Sequence, residues 1–226
     1  MDRFASSNSC CVFMKIVLED IELELKQRHK YPYVWYRKQN NIWDAHTNFI
    51  YKTSKWEDLI PKIAASVKEH QLDKKELFYY ATNRWYNFWS AMAAENIFSN
   101  CKEVVSNPDS KNRTIDFTLQ KIAFDHKTSV FPKHLKNDLA YAQSNKRELI
   151  DWLYKNQSSQ KRFHLKNRLF IIVFDKNGEH WKLKGEIGLL QKEIKNYVSN
   201  FKPTQLQKFI FASNKETLSD IIWVTR

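Results

Sequence analysis

The run Leu-Phe-Ile-Ile-Val-Phe at 169–174 constrains the fold more than any other stretch of this chain. It is apolar at every position, which is the pattern of a central strand covered on both faces. Such a strand needs helices above and below it, so the expected class is α/β, with a mixed central sheet flanked by helices.

The segments before the strand fit that class. Val17, Ile21 and Leu25 recur at a helical period with acids between them and predict a first amphipathic helix. The aromatic-rich 33–37 and 47–51 flank the polar Gln39-Asn40-Asn41 and predict a hairpin. Ser54 followed by Glu57 has the form of a capping box opening a helix to about His70, and Asp73 followed by Glu76 repeats the pattern. The second helix runs over about 74–99, with Phe78, Ala81, Trp85, Phe88, Met92 and Ile97 as its inward stripe. Short strands follow at 102–106, 113–119 and 122–129, with turn residues Asn107, Pro108, Asp109 and Ser110 in the loop. A helix over 133–156, a helix over 187–201 and a closing strand at 221–224 complete the expected order. The chain thus divides into an N-terminal helical and hairpin extension, 1–72, and a core, 73–226.

At 226 residues and 42% hydrophobic content, one main domain is the expectation. Lys and Arg outnumber Asp and Glu by 37 to 25, a net charge of +12 that attracts polyanions, nucleic acid first among them. Only three glycines are present, and neither a P-loop nor a dinucleotide fingerprint is found. Cys10, Cys11 and Cys101 form no CxxC pair and have no histidine at zinc-ligand spacing, which indicates a reducing cytoplasm and no structural zinc. The apolar run over 10–18 is interrupted by Lys15 and followed by Glu19 and Asp20, so neither a signal segment nor a membrane span is expected. Met14 offers an alternative start.

The chemistry centres on the last two strands of the meander. Joined by a two-residue turn at Gln120-Lys121, they set Asp116 directly across from Asp125. Asp116, Asp125 and Lys127 then share a face, while Phe117 and Phe124 take the other. Two opposed carboxylates repel unless a cation lies between them, and Mg²⁺, which is commonly held by one or two carboxylates plus substrate phosphate, suits that gap; Mn²⁺ can substitute. His126 falls on the opposite sheet face and reads as a packing residue. Lys133 and Lys136 after the hairpin, and Lys161, Arg162, Lys166 and Arg168 before the buried strand, are candidates for phosphate contacts. Ser158, Ser159 and Gln160 form a polar loop that could join them. The stretch Tyr31, Tyr33, Trp35, Tyr36, Arg37, Lys38, Trp43 interleaves rings and cations as a base-stacking surface does, although packing is the simpler use of so many aromatics.

Asp116 followed by Asp125-His126-Lys127 resembles the motif of the PD-(D/E)XK, or restriction-endonuclease-like, nuclease superfamily. The resemblance covers about half of the chain, and Pro108-Asp109 offers an alternative first acid, out of register with Asp125. It implies a core of helix, three-strand meander, helix and strand, and a glutamate on the first core helix that completes the metal site, a position matched by Glu95. It further implies a Mg²⁺-dependent endodeoxyribonuclease of restriction or related DNA-processing type, with DNA as partner and a homodimer if both strands are cut. The other reading is a non-catalytic basic nucleic-acid-binding module that keeps the nuclease fold; a third is an interaction protein whose charge is incidental.

Overall fold

The run at 169–174 forms the middle of the sheet. In the computed structural model, which describes residues 17–107, 115–156, 166–211 and 215–226, it lies within β4 (Arg168–Phe174), buried from Leu169 onward. The sheet has six strands in the order β1-β2-β3-β4-β6-β5, where β1 is Val104–Ser106, β2 Phe117–Leu119, β3 Ile122–Val130, β5 Gln207–Phe211 and β6 Lys215–Thr225. The meander β1-β2-β3 is antiparallel, β3, β4 and β6 are mutually parallel, and β5 closes the edge antiparallel to β6. Side chains alternate across β4. Leu169, Ile171 and Val173 join one core with the helices α1 (Leu18–Gln27), α3 (Trp56–His70), α4 (Lys74–Ser99) and α7 (Ile187–Ser199). Phe170, Ile172 and Phe174 join another with α5 (Leu139–Ser144) and α6 (Lys146–Asn156). The protein is therefore a mixed α/β structure, and from 74 to 174 its elements run helix, three strands, helices, strand.

Three local expectations are corrected. The hairpin at 33–37 and 47–51 does not form, because Asn40 accepts the Trp43 N–H (2.9 Å) and so begins a helix, α2 (Asn41–His46), where a turn was expected. The rings of the first segment pack instead, with Tyr33 stacked on Trp181 at 4.9 Å. The capping box at Ser54 and Glu57 is replaced by a carboxylate from α1: Glu24 Oε2 accepts the Trp56 N–H at 2.6 Å. The helix expected over 133–156 is broken in two. Lys136 and Asn137 take left-handed conformations (φ 46° and 63°), and Asp138 then caps α5 by accepting the Tyr141 N–H at 2.8 Å. In addition, β5 is a strand that periodicity did not indicate, and β6 begins six residues before the expected closing strand at 221.

The second cap forms as its sequence implies, with Asp73 Oδ1 accepting the Glu76 N–H at 2.7 Å. The helix it opens is buried on every side for two turns: each residue from Tyr80 to Tyr86 is buried. Ala81, Trp85 and Ile97 of the expected stripe are fully enclosed, while Phe78, Phe88 and Met92 are half-buried against the same core. The residues of 17–72 supply much of the cover. Trp56 packs on Trp85 with ring centroids 5.6 Å apart, the Trp85 Nε1–H donates to the Thr53 carbonyl (2.6 Å), and Trp89 donates to Ile50 (3.0 Å). Ile21, Leu25, Trp43, Ile50, Leu59 and Ile63 belong to the same core as α4, so the extension and the helix pack together. Among the described residues, no helix is long and apolar enough to cross a membrane.

Candidate functional site

The β2–β3 hairpin turns at Gln120 and Lys121, both at positive φ (46° and 66°), the geometry a two-residue turn requires even without Asn-Gly. Its pairs Leu119↔Ile122, Thr118↔Ala123 and Phe117↔Phe124 end there, and the expected opposition of Asp116 and Asp125 is corrected: the Asp116 N–H donates to the Phe124 carbonyl at 2.8 Å, one residue short of Asp125. At that point, among the described residues, β3 exchanges one neighbour for another: the ladder to β2 ends at Phe124, and the parallel ladder to β4 begins with Asp125↔Arg168. The sheet forks there, and both acids stand at the fork.

Their partners differ. Asp116 Oδ2 accepts both the backbone N–H of His126 (2.8 Å) and its ring Nδ1–H (2.6 Å). Burial opposes the ionisation of Asp116, yet these bonds hold its carboxyl below the usual range. Burial likewise opposes a charge on His126, but Asp116, with Asp125 and Glu95 behind it, raises its pKa. Asp125 pairs with Arg168, whose Nε donates to Oδ2 at 2.7 Å. Burial, helped by the Asp116 charge, leaves the Asp125 carboxyl raised despite that guanidinium. Glu95, reaching in from α4, is raised by burial and by the Asp116 charge. Lys127 is pushed down to about 8, by burial first and then by Arg168.

Of the residues expected to act together, Glu95 lies near enough to Asp116 and His126, and Lys127 near enough to Asp125, for their charges to interact, but Asp116 does not share the face of Lys127 as expected: its side chain is on the His126 side. His126 needs correction: its ring does face the side opposite Lys127, against Phe98 (5.6 Å), but it is the direct partner of Asp116 there, because the Asp116 side chain swings to that side of the fork. Lys133 and Lys136 are exposed and lie past the far end of β3, about 17 Å along the strand from Asp125 or further, so they do not serve this site. Lys166 is at the near end, two residues before Arg168. Lys161 and Arg162, the loop Ser158–Gln160, the alternative Pro108-Asp109, Met14, and Cys10 and Cys11 all lie outside the described residues. Cys101 is a buried free thiol. Arg168, grouped by sequence with the phosphate candidates, turns out to be the counter-ion of Asp125, a role readable only once β3 and β4 are known to pair in parallel.

The pair Asp116–His126 has a pH signature. His126, with its folded pKa above the ordinary 6.5, contributes stability fully below that pH and loses it as pH rises through the folded value. Asp116, depressed from 3.8, contributes above that pH and loses it as pH falls through its folded value. We expect the difference in denaturation midpoint between wild type and His126→Phe to be greatest between pH 3.8 and 6.5 and to shrink as pH is raised further. A difference independent of pH would show that the ring acts through packing alone.

Compared with known proteins, the chain matches no family model, and no curated protein or solved structure matches it either. Among the described residues, no three histidine, cysteine or acidic side chains are disposed as a ready metal cage.

Proposed function

We propose that this protein is a Mg²⁺- or Mn²⁺-dependent nuclease of PD-(D/E)XK type that hydrolyses phosphodiester bonds in DNA. One observation carries the reading: Asp116 and Asp125 both stand at the fork of the sheet, Asp116 bonded to the backbone and the ring of His126, the residue after Asp125, with Lys127 next along the strand. The run of helix, meander, helices and strand around the fork, and the +12 net charge, support it.

The donor set fits a hard divalent cation. It offers oxygen from Asp116 and Asp125, with Glu95 near Asp116, and two carboxylates suffice where water and substrate phosphate complete the shell. When bound, such an ion polarises the phosphate and lowers the pKa of water. The chain's own groups do the rest. Arg168 orients Asp125 by donating to Oδ2, and His126 holds Asp116 ionised through two hydrogen bonds. Lys127, close to neutrality because it is buried, can take a proton from attacking water or, protonated, offset charge on the phosphorus oxygens.

A second reading has its own observation. Both acids already have cationic partners, Arg168 and His126, so the fork could serve a nucleic-acid-binding module without turnover. Incubation of purified protein with supercoiled plasmid and Mg²⁺ or Mn²⁺ separates them. Nicking by wild type that disappears in Lys127→Met supports the nuclease. Retention of DNA without nicking by wild type in either metal supports the module, and equal nicking by wild type and variant sinks the site assignment.

A further inference from the structure

Not every ring of the aromatic segment before α2 is used to cover the core. Tyr33 and Trp35 pack against it, yet Tyr31 and Tyr36 are left 36% and 45% exposed. A continuous row of rings joins the two. By ring centroids, Tyr31 stands 5.0 Å from Phe78, Phe78 5.3 Å from Tyr79, and Tyr79 5.1 Å from Tyr36, with Trp56 stacked on Tyr31 at the other end. The backbone over 31–37 is neither helix nor strand, but it is pinned. Arg28 donates to the Tyr31 and Pro32 carbonyls (2.8 and 2.9 Å), Asn83 Nδ2 to the Val34 carbonyl (2.8 Å), and Arg37 to Glu76 (2.8 Å).

Cations surround the row. Lys75 Nζ lies over the Tyr36 ring, 4.9 Å from its centroid, Lys30 and Lys38 flank the segment in sequence, and Lys74 opens α4. All four lysines are exposed, and among the described residues no carboxylate pairs with any of them. The two acids beside Lys74 and Lys75 are engaged, Asp73 as the cap of α4 and Glu76 as the partner of Arg37.

We propose that this row is a stacking platform for the unpaired bases of single-stranded DNA, with Tyr31 and Tyr36 meeting the bases and the four lysines the phosphates. Every base has a π face, so exposed rings among unpaired cations suit a single strand, whose bases are free to stack on them; in a duplex those faces are already covered. An apolar protein partner gains nothing from four ammonium groups around the rings, whereas a polyanion releases counter-ions at each. A segment pinned before binding loses less freedom on association. The choice of DNA rests on the reading of the protein as an enzyme acting on DNA, but the platform does not use the fork: Tyr79 precedes Glu95 by about 24 Å along α4.

The test is binding of a short fluorescent single-stranded DNA, and of the duplex of the same sequence, to metal-free protein across a KCl series. Tyr31→Ala and Tyr36→Ala are each expected to weaken binding of the single strand about tenfold, within the worth of one base stacked on one ring, and to leave the duplex unchanged. Tyr36→Leu, which keeps apolar bulk but has no π face, should fail as Tyr36→Ala does, and Tyr36→Phe should restore wild-type affinity. Lys38→Met should lower the slope of log affinity against log salt by roughly 0.7. Rescue by Tyr36→Leu would make the ring a packing residue, and equal losses on single strand and duplex would make the effect general; either overturns the proposal. So does failure of wild type to bind the single strand at low salt. Unchanged DNA affinity in Tyr36→Ala, with loss of a self-associated form in sedimentation, would give the rings to a protein contact and overturn it too. Wild type that binds single strands through these rings but never nicks plasmid removes the nuclease reading and leaves this one standing. Nicking by wild type, with ring variants that bind single strands as wild type does, removes this one alone.

Discussion

On the proposed nuclease reading, Asp125→Asn is expected to abolish metal-dependent nicking, by at least about a hundredfold, and also to destabilise the protein, because Asp125 is both a proposed metal ligand and the counter-ion of Arg168. Arg168 is 11% exposed at its side chain, and Asp125 is its counter-ion. Removal of one member of a buried ion pair leaves the other charge desolvated and costs about 3–5 kcal/mol, whereas removal of both is far milder. The double substitution Asp125→Asn with Arg168→Gln should therefore recover most of the lost stability without recovering any cleavage. Chemical denaturation read beside plasmid nicking checks both parts. Cleavage returning in the double variant would mean that Asp125 matters only as a partner for Arg168, and the assignment of Asp125 to the chemistry would be wrong.

The second large effect is on the fold. Trp85→Ala is expected to cost about 3–5 kcal/mol, a third or more of the stability of an ordinary domain. Trp85 is fully buried at the middle of α4, stacked edge-on against Trp56 from α3 and hydrogen-bonded to the Thr53 carbonyl. Since Ile21, Leu25, Trp43 and Ile50 lie in the same core, the loss should appear as one shifted transition in denaturant, read alike by far-ultraviolet dichroism and tryptophan fluorescence. A loss under about 1 kcal/mol, or an early transition confined to the N-terminal residues, would show that they are a separable appendage.

The covered central strand and the two-residue turn of the β2–β3 hairpin were legible in the sequence for a simple physical reason: both obey short-range rules of alternation and turn length. The Asp73 cap is likewise local. What could not be read was set at long range. Glu24 caps a helix 32 residues away, Arg168 meets Asp125 across 43 residues, and neither pairing leaves a periodic trace. Aromatic density at 33–51 suggested strands because tyrosine and tryptophan favour them, but the rings are used to cover α4, and Asn40 decides the local backbone. The turn of Asp116 onto His126 follows from the backbone, since the Asp116 N–H bonds to the Phe124 carbonyl and the pairing slips before it reaches Asp125.

The enclosure of α4 has a consequence for how the chain reaches this state. Its cover comes from both ends of the sequence: Trp89 bonds to Ile50, 39 residues before it, and Tyr86 to Lys182, 96 residues after it. Until the turn at 180–185 and α7 have joined, an aromatic helix lies half wrapped, its remaining side open to solvent. Contacts of such separation slow folding, and exposed rings attract other chains meanwhile. The helix bearing Glu95 therefore has its full cover only when residues from both ends of the chain are packed against it.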